Sequence, residues 1–224
     1  MVVGPTGIGK SAFAVEKARA LGGVIVSADA FQVYRGLDIG TGKVSLAIRE
    51  EIPHYLMDIL EPHEGFSVVA FLDGVSDVIK VCRREDRPVI LCGGTGFYLF
   101  AFLQGYRFDV PEPERYAVQV PRMDVAVVGL YAAREVVIRR INERVDAMIA
   151  SGWVSEVAGL LARGILASVP GMQAIGYPEV VRFLGGDLSH EEMVDLIKVK
   201  TRQFAKRQMT WFRRFEHAEW IEVF

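Results

Sequence analysis

The sequence predicts an α/β fold, in which a parallel sheet flanked by helices is followed by a mainly helical C-terminal half. Two observations support this. Apolar, strand-like runs recur at 2–4, 24–27, 89–92, 125–130 and 220–223, and helix-like patterns separate several of them. Strands that alternate with helices indicate a parallel sheet with helices on its faces. After about Leu130, the spacing of apolar residues becomes mostly helical.

The composition excludes several classes of protein. Of 224 residues, 51% are hydrophobic, enough for one large domain or one domain with an appendage. A net charge of -2 excludes a wholly basic nucleic-acid-binding chain, so nucleic-acid contacts must come from a local patch. Cys82 and Cys92 form no CxxC motif, which argues against a zinc site or disulfide framework and fits a reducing cytoplasm. Neither a membrane helix nor a signal peptide is expected, because apolar runs are short and a strand begins at once.

The first strand leads into GPTGIGKS at 4–11 and then into an apolar helix pattern. This is the complete GxxxxGK[ST] motif in its strand–loop–helix context, so it predicts a P-loop NTPase-like core that binds a polyphosphate. The loop's N–H groups would form an anion nest, Lys10 would neutralise phosphate charge, and Ser11 would hold Mg²⁺. A glycine-rich turn that binds nothing is the disfavoured alternative.

The second strand ends just before Asp29, which we expect to face the crevice above this loop. A carboxylate there can accept a proton from a nucleophile that attacks near bound phosphates. A helix-capping or turn aspartate is the alternative. Gln32, Tyr34 and Arg35 follow and suit contacts with a base, although Tyr34 could equally pack in the core.

The strand at 89–92 ends in Gly93-Gly94-Thr95-Gly96, where P-loop NTPases usually carry an acidic metal ligand. Two glycine-rich turns that face one crevice suit a diphosphate gripped from both sides. They suit ATP hydrolysis less well. Tight packing between strand and helix is the alternative reason for these glycines.

The second half is predicted to consist of helices. The first is indicated by apolar residues three and four positions apart, at Ile138, Ile141, Val145, Met148 and Ile149. Gly152 is expected to end this helix. Further helices are expected at 153–163, 177–184 and 189–215, and Ser189 with Glu192 forms a capping box for the last of them.

The last helix concentrates positive charge. The stretch KVKTRQFAKRQMTWFRR at 198–214 has seven Lys or Arg residues and no acid. Lys200, Arg207 and Arg214 are seven residues apart, and Arg202 and Lys206 are one turn apart. A diphosphate or a nucleic-acid backbone would satisfy such a face. A solvated helix face is the alternative.

These segments resemble those of the bacterial tRNA dimethylallyltransferases, also called tRNA isopentenyltransferases. The matching stretches are collinear and cover most of the chain. They are GPTGIGKS (4–11), DAFQVYRGLDIGTGK (29–43), PHYLMDILEP (53–62), FSVVAF (66–71), GGTGFY (93–98), RINERVDAMIASG (140–152), MQAIGYPE (172–179) and TRQFAKRQMTWFRR (201–214).

The resemblance implies a monomeric enzyme that transfers a dimethylallyl group from dimethylallyl diphosphate to N6 of adenosine 37 in the anticodon stem-loop of tRNA. It implies Mg²⁺ as cofactor, with Ser11 as its ligand, and neither a membrane nor an obligate protein partner. Because a whole diphosphate leaves and no phosphoryl group moves, the metal needs only to hold a leaving group. This accounts for the missing acid after Leu91.

The resemblance also assigns residues to roles. Asp29 matches the general base, and Thr95 lies near the reacting centre. The residues implied to bind the diphosphate are Thr6, Gly7, Ile8, Gly9, Lys10, Ser11, Arg202, Lys206 and Arg207. Those implied to bind tRNA are Ala30, Phe31, Gln32, Arg35, Gln173, Gly176, Tyr177, Gln208, Trp211 and Arg213.

The sequence departs from the family pattern in three places. Ala30 replaces a usual serine, and Gly42 replaces a usual alanine. The helical insertion domain is largely absent, with a remnant near 106–124 and a junction near 117–123. Either this is a minimal natural enzyme or those residues are missing from this sequence, which is the interpretation that we favour. Without the insertion, weak affinity for tRNA is expected.

The predicted organisation is a P-loop core at 1–131 and a helical part at 132–224, packed together as one catalytic unit with a C-terminal strand. Three other functions stay open. A small-molecule or nucleotide kinase would use Asp29 to activate a hydroxyl, but it leaves the basic helix without a purpose. The others are a non-catalytic tRNA-binding protein with a relic phosphate loop, and prenylation of free AMP.

Overall fold

The computed structural model describes residues 1–108, 110, 122 and 124–224. Six parallel strands form one sheet in the order β3-β2-β4-β1-β5-β6. They are β1 (Val2–Val3), β2 (Val24–Ser27), β3 (His54–Tyr55), β4 (Val89–Cys92), β5 (Val128–Tyr131) and β6 (Glu219–Glu222). The prediction of a parallel sheet flanked by helices is confirmed.

The described part of the chain contains eight α-helices. Four belong to the first half: α1 (Lys10–Leu21), α2 (Leu46–Glu51), α3 (Val68–Arg84) and α4 (Gly96–Leu103). The other four are α5 (Arg134–Ala150), α6 (Trp153–Ala162), α7 (Tyr177–Leu184) and α8 (His190–Phe212). A short 3-10 turn at Pro170–Gln173 precedes α7.

Both faces of the sheet are buried, as is usual for parallel sheets. Successive side chains of a strand point to opposite faces. Val24 and Val26 of β2 accordingly pack in one apolar cluster with Phe71 of α3, whereas Ile25 packs in another with Ala14 of α1. The sheet therefore holds α1 and α3 on opposite sides.

A third apolar cluster joins α5, α6, α7 and α8 to the segment that follows β2. At its centre, the rings of Trp153 and Tyr177 meet edge to face, with centroids 5.7 Å apart. Tyr34 also belongs to this cluster, and its hydroxyl donates to the Glu64 carbonyl at 3.0 Å. Of the two roles open for Tyr34, the structure supports core packing.

The predicted elements differ from the observed ones mainly at their ends. β5 begins at Val128 rather than Val125, and α8 ends at Phe212 rather than at 215. β3 was not predicted, because its two half-buried residues form no apolar run. The capping box of α8 is confirmed: Glu192 N–H donates to the Ser189 hydroxyl at 3.2 Å, and Ser189 N–H donates to the Glu192 carboxylate at 2.7 Å.

The predicted remnant of an insertion, 106–124, lies mostly outside the described residues. Within the described ranges, no single helix is long and apolar enough to cross a membrane. The pair α5 and α6, bent by 52° at their junction, meets the length and composition test only together.

Candidate active site

Three strands bring the predicted site residues to one edge of the sheet. The loop at 4–11 follows β1, Asp29 follows β2, and the glycine turn 93–96 follows β4, and these strands are neighbours. Their carboxyl ends surround a cavity of about 370 Å³. Residues of α4, α5, α6 and α8 and of the loops at 40–41 and 174–175 also line it. We call it the central cavity.

The loop after β1 has the backbone that phosphate binding needs. Gly7 and Gly9 have φ values of 80° and 102°, which favour glycine, and α1 begins at once with no acid in its first turn. The helix therefore presents its free N–H groups and its positive dipole end to the crevice. Ser11 is exposed beside it.

Lys10 is held against the loop by the loop's own backbone. Its ammonium donates to the Pro5 carbonyl at 2.8 Å. Burial lowers the pKa of Lys10 to about 8, and the positive charge of Arg144 contributes to the lowering, whereas Cys92 and Asp29 oppose it. A polyphosphate bound in the loop would give the Lys10 ammonium a negatively charged partner.

Asp29 lies in the wall of the central cavity. Burial raises its pKa above the ordinary value of 3.8, although backbone N–H groups of Phe31 and Gln32 and the cations Lys10 and Arg144 pull it down. One carboxylate oxygen accepts the Phe31 N–H at 2.9 Å. Of the described residues that line the cavity, Asp29 is the only acid, so it is the natural proton acceptor there.

Thr95 connects the glycine turn to the segment after Asp29. Its hydroxyl oxygen accepts the Ala30 N–H at 3.0 Å, and its own N–H donates to the Ala28 carbonyl at 3.0 Å. Tight packing accounts for part of this turn as well, because a Cβ on Gly93 would collide with Ala28. The structure thus supports tight packing as the reason for Gly93, whereas a role of this turn in holding a diphosphate stays a prediction.

Helix α8 contributes three of the predicted residues to the cavity wall: Arg207, Gln208 and Trp211. Gln208 is 3% exposed. Its side-chain oxygen accepts the Thr6 N–H at 2.8 Å, and its side-chain nitrogen donates to the Gly94 carbonyl at 2.9 Å. Arg207 is exposed, with its guanidinium 5.9 Å from the centre of the Phe204 ring.

Arg144 of α5 is a site residue that sequence reasoning missed. It lines the central cavity near Asp29, and burial lowers its pKa while the charge of Asp29 raises it. A Cβ on Gly42 would collide with the Arg144 guanidinium, so the loop passes directly over it. The available signal was its place between Ile141 and Met148 on the apolar stripe of the helix.

Glu156 of α6 was also missed, and it holds the loop over the cavity. Its carboxylate accepts N–H groups of Asp38 at 2.9 Å, Ile39 at 2.7 Å and Gly40 at 3.3 Å. It also accepts the Tyr177 hydroxyl at 2.7 Å. Burial and this carboxylate raise the pKa of Tyr177.

Several residues predicted to bind tRNA are engaged elsewhere. Tyr177 is completely buried, so its hydroxyl serves the Glu156 network and not a surface. The Gln32 amide accepts the Ser27 hydroxyl at 2.8 Å and donates to the Thr41 carbonyl at 3.1 Å. Gly176 packs against the Trp153 ring. These three residues therefore make contacts within the protein, whereas the motif alone predicts that they contact tRNA.

Other predicted residues lie on the surface away from the cavity wall. Arg35 pairs with Glu61 at 2.9 Å, and Gln173 donates to the Ala167 carbonyl at 2.8 Å. Arg202 is half-buried and donates to Asn142 at 2.8 Å. Lys206 and Arg213 are exposed on α8 and at its end. The structure thus brings together in the cavity wall Thr6, Asp29, Ala30, Phe31, Thr95, Arg207, Gln208 and Trp211.

Comparisons with known proteins agree on one family. The family model described as IPP transferase matches residues 32–122 and 111–215. A tRNA dimethylallyltransferase of Geobacter metallireducens is 37% identical, with 99% of this chain and 91% of the relative covered. That of Symbiobacterium thermophilum is also 37% identical, covering 100% of this chain and 88% of the relative. The solved tRNA isopentenylpyrophosphate transferase of Bacillus halodurans matches with a TM-score of 0.88 and 31% identity, over 99% of this chain and 88% of that one.

This chain is shorter than the relatives in its interior. The alignment with the Geobacter protein runs over 282 positions, whereas the chain has 224 residues, so at least 58 positions (282 less 224) hold residues of the relative alone. The two segments of the family model overlap at 111–122. That overlap falls within the stretch where the sequence predicts a shortened insertion.

Proposed function

This chain belongs to the IPP transferase family and is a prenyltransferase that acts on tRNA, and from that premise we propose how its central cavity carries out the transfer of a dimethylallyl group to N6 of adenosine 37. Dimethylallyl diphosphate is the donor, with its diphosphate on the loop at 4–11 and its allylic carbon directed towards Asp29. The adenine enters the same cavity from the other side, which requires the base to leave its stack.

The observation that carries this proposal is the half-buried carboxylate of Asp29, which is the only acid among the described residues that line a cavity with two arginines and several aromatic rings. The N6 amine attacks the allylic carbon, so a C–N bond forms while the C–O bond to the diphosphate breaks. Asp29 accepts the N6 proton. Lys10, Arg144 and Arg207 stabilise the negative charge that develops on the leaving diphosphate.

Mg²⁺ fits the donor set if the substrate supplies most of its oxygens. Among the described residues, no group of three His, Cys, Asp or Glu could hold a metal ion. Mg²⁺ commonly binds through few protein ligands plus substrate phosphates, and the exposed Ser11 hydroxyl in the first turn of α1 would provide one. When bound, the ion offsets charge on the diphosphate.

The tRNA contacts that we propose lie at the cavity mouth. Arg207 and Trp211 reach both the cavity and the surface of α8, and Lys206 and Arg213 are exposed close to them in sequence. Exposed cations suit the phosphate backbone, and aromatic rings suit an unstacked base. Neither a membrane nor an obligate protein partner is required, and we assign the reaction to the cytoplasm.

Asp29→Asn tests the proposal directly. The purified variant and the wild type are incubated with labelled dimethylallyl diphosphate and tRNA, and label in tRNA is counted. We expect the variant's turnover to fall by about 10²- to 10⁴-fold, because general-base catalysis is worth that much, with tRNA affinity retained. The wild-type rate should fall on acidification, because protonated Asp29 cannot accept the N6 proton.

Parallel arms separate the alternatives. Free AMP replaces tRNA in one arm, and ATP with small alcohols replaces both substrates in another. Label transferred to AMP at the rate seen for tRNA would assign the acceptor to free nucleotides. Phosphoryl transfer to an alcohol, or undiminished activity of Asp29→Asn, would refute the proposed mechanism.

A further inference from the structure

We propose that Gln208 is a positioning residue for diphosphate binding and not a contact for RNA. One side-chain amide on α8 holds the phosphate loop and the glycine turn at a fixed separation. The inference rests on the proposed function, because it concerns the donor half of the same cavity.

The first observation is the pair of hydrogen bonds made by this amide. Its oxygen accepts the N–H of Thr6, 202 residues away, and its nitrogen donates to the carbonyl of Gly94, 114 residues away. With 3% exposure, Gln208 has little surface to offer a macromolecule. A buried amide satisfied by two separate loops is instead a bridge between them.

The second observation is how close this bridge lies to Asp29. A Cβ on Gly94 would lie 2.6 Å from the Gln208 side-chain nitrogen and 3.2 Å from a carboxylate oxygen of Asp29. Both groups therefore border the space that glycine leaves open at this position. The amide thus sets the phosphate loop relative to the glycine turn directly beside the general base.

The chemistry of the two partners selects glutamine. An N–H at Thr6 requires an acceptor, and the carbonyl of Gly94 requires a donor. Glutamine presents both on one planar group. Ionised glutamate would keep the acceptor for Thr6 but place a second oxygen against the Gly94 carbonyl, whereas protonated glutamate would restore the donor.

The experiment measures the affinity for dimethylallyl diphosphate and for tRNA separately, by calorimetry and by filter binding. It compares the wild type with Gln208→Met, Gln208→Glu and the control Gln203→Met, an exposed glutamine on the same helix. We expect Gln208→Met to bind dimethylallyl diphosphate about 10- to 100-fold more weakly, because two buried partners lose their hydrogen bonds. Its tRNA affinity, measured without the diphosphate, should stay within about twofold of wild type, and Gln203→Met should match wild type in both.

Gln208→Glu supplies a second readout that general destabilisation would not give. Its deficit in diphosphate affinity relative to wild type should shrink as the pH falls from about 8 to about 6, because protonation restores a donor to Gly94. Should Gln208→Met fail to fold, this nearly isosteric variant decides the question.

Two results would overturn this inference and leave the proposed function intact. Loss of tRNA affinity with diphosphate affinity unchanged would make Gln208 an RNA contact, and wild-type behaviour of both variants would remove its role. If the wild-type protein itself does not bind dimethylallyl diphosphate, the proposed function fails and the inference fails with it.

Discussion

At the scale of one residue, the burial that places Lys10 in the phosphate loop also disfavours its charged form. Burial lowers its pKa to about 8, so above that pH the free protein carries mostly neutral Lys10. A bound diphosphate favours the charged form and raises this pKa. Binding above pH 8 should therefore be accompanied by uptake of a proton.

We predict that the affinity for pyrophosphate decreases as the pH rises through about 8, and that Lys10→Met loses this part of the dependence. Calorimetry from pH 7 to 9.5 in buffers of different ionisation enthalpy measures the proton uptake. Lys17→Met, an exposed lysine on the same helix, is the control and should behave like the wild type. Equal proton uptake by Lys10→Met and the wild type would rule out Lys10 as the titrating group.

The sequence predicted the position of a site residue where the neighbouring residues determine which way its side chain faces. Asp29 and Thr95 each follow a buried strand, so a parallel sheet directs them to the same crevice. Arg144 and Glu156 lie within helices, whose orientation towards the cavity depends on packing between distant segments. Gln208 belonged to a recognised motif, yet its burial, and hence its partners, came only with the fold.

At the scale of elements, α6 holds a loop that it does not adjoin in sequence. The three backbone N–H groups at 38–40 converge on Glu156, and the loop's other side is held by Gln32. We predict that Glu156→Gln lowers kcat/KM for tRNA about tenfold or more, because charge-assisted hydrogen bonds to the loop are lost. Proteolysis within 38–42 should become faster.

Glu143→Gln is the matched control, since Glu143 is exposed on α5 and pairs at a distance of 3.9 Å with Arg139. It should retain the wild-type rate and wild-type resistance to protease. If Glu156→Gln also keeps both, the loop is held by its other contacts and the role assigned to this carboxylate is wrong.

Helices α6 and α7 are each preceded by a glycine with a positive φ, Gly152 before α6 and Gly176 before α7. Gly152 and Gly176 have φ values of 99° and 98°, but a Cβ would meet nothing within 4 Å at Gly152 and would collide with the Trp153 ring at Gly176. We predict that Gly152→Ala lowers the free energy of unfolding by about 1–2 kcal/mol through backbone strain alone. Gly176→Ala should lower it by about 1–3 kcal/mol more, through overpacking. Urea denaturation measures both, and equal losses would contradict the packing at Trp153.

Periodicity predicted most elements, because amphipathic helices and buried strands carry their pattern in consecutive residues. β3 escaped prediction, since His54 and Tyr55 owe their extended conformation to pairing with Ile25 and Val26 of β2. A strand that short is defined by its neighbour and not by its own sequence.

At the scale of the whole molecule, charge is separated within a chain that is slightly acidic overall. The net charge is -2, but the charged residues of 198–214 are all Lys or Arg. We predict that replacing both Lys206 and Arg213 by alanine raises KM for tRNA and reduces the slope of log K against log salt by about 2 at most, one per lost phosphate contact. KM for dimethylallyl diphosphate should stay unchanged, because Lys206, which the resemblance implies as a diphosphate ligand, is exposed and does not line the cavity.

Replacing both Arg83 and Arg84 by alanine removes two exposed arginines from the end of α3, so this variant controls for net charge and should leave the salt slope as it is. A salt slope that is unchanged in the double variant would place the tRNA backbone elsewhere on the surface. The arrangement of this charge on one face was visible in the sequence, whereas its position beside the cavity required the packing of α8 against α4, α5 and α7.

The hydrogen bond between Thr6 and Gln208 also has a meaning for synthesis on the ribosome. The two residues are 202 positions apart in this sequence, a separation that takes roughly 10–40 s to translate at about 5–20 residues per second. Throughout that interval the nascent polypeptide displays its glycine-rich loop without the amide that completes it. With the role proposed for Gln208, the diphosphate site is therefore complete only after α8 has emerged and docked.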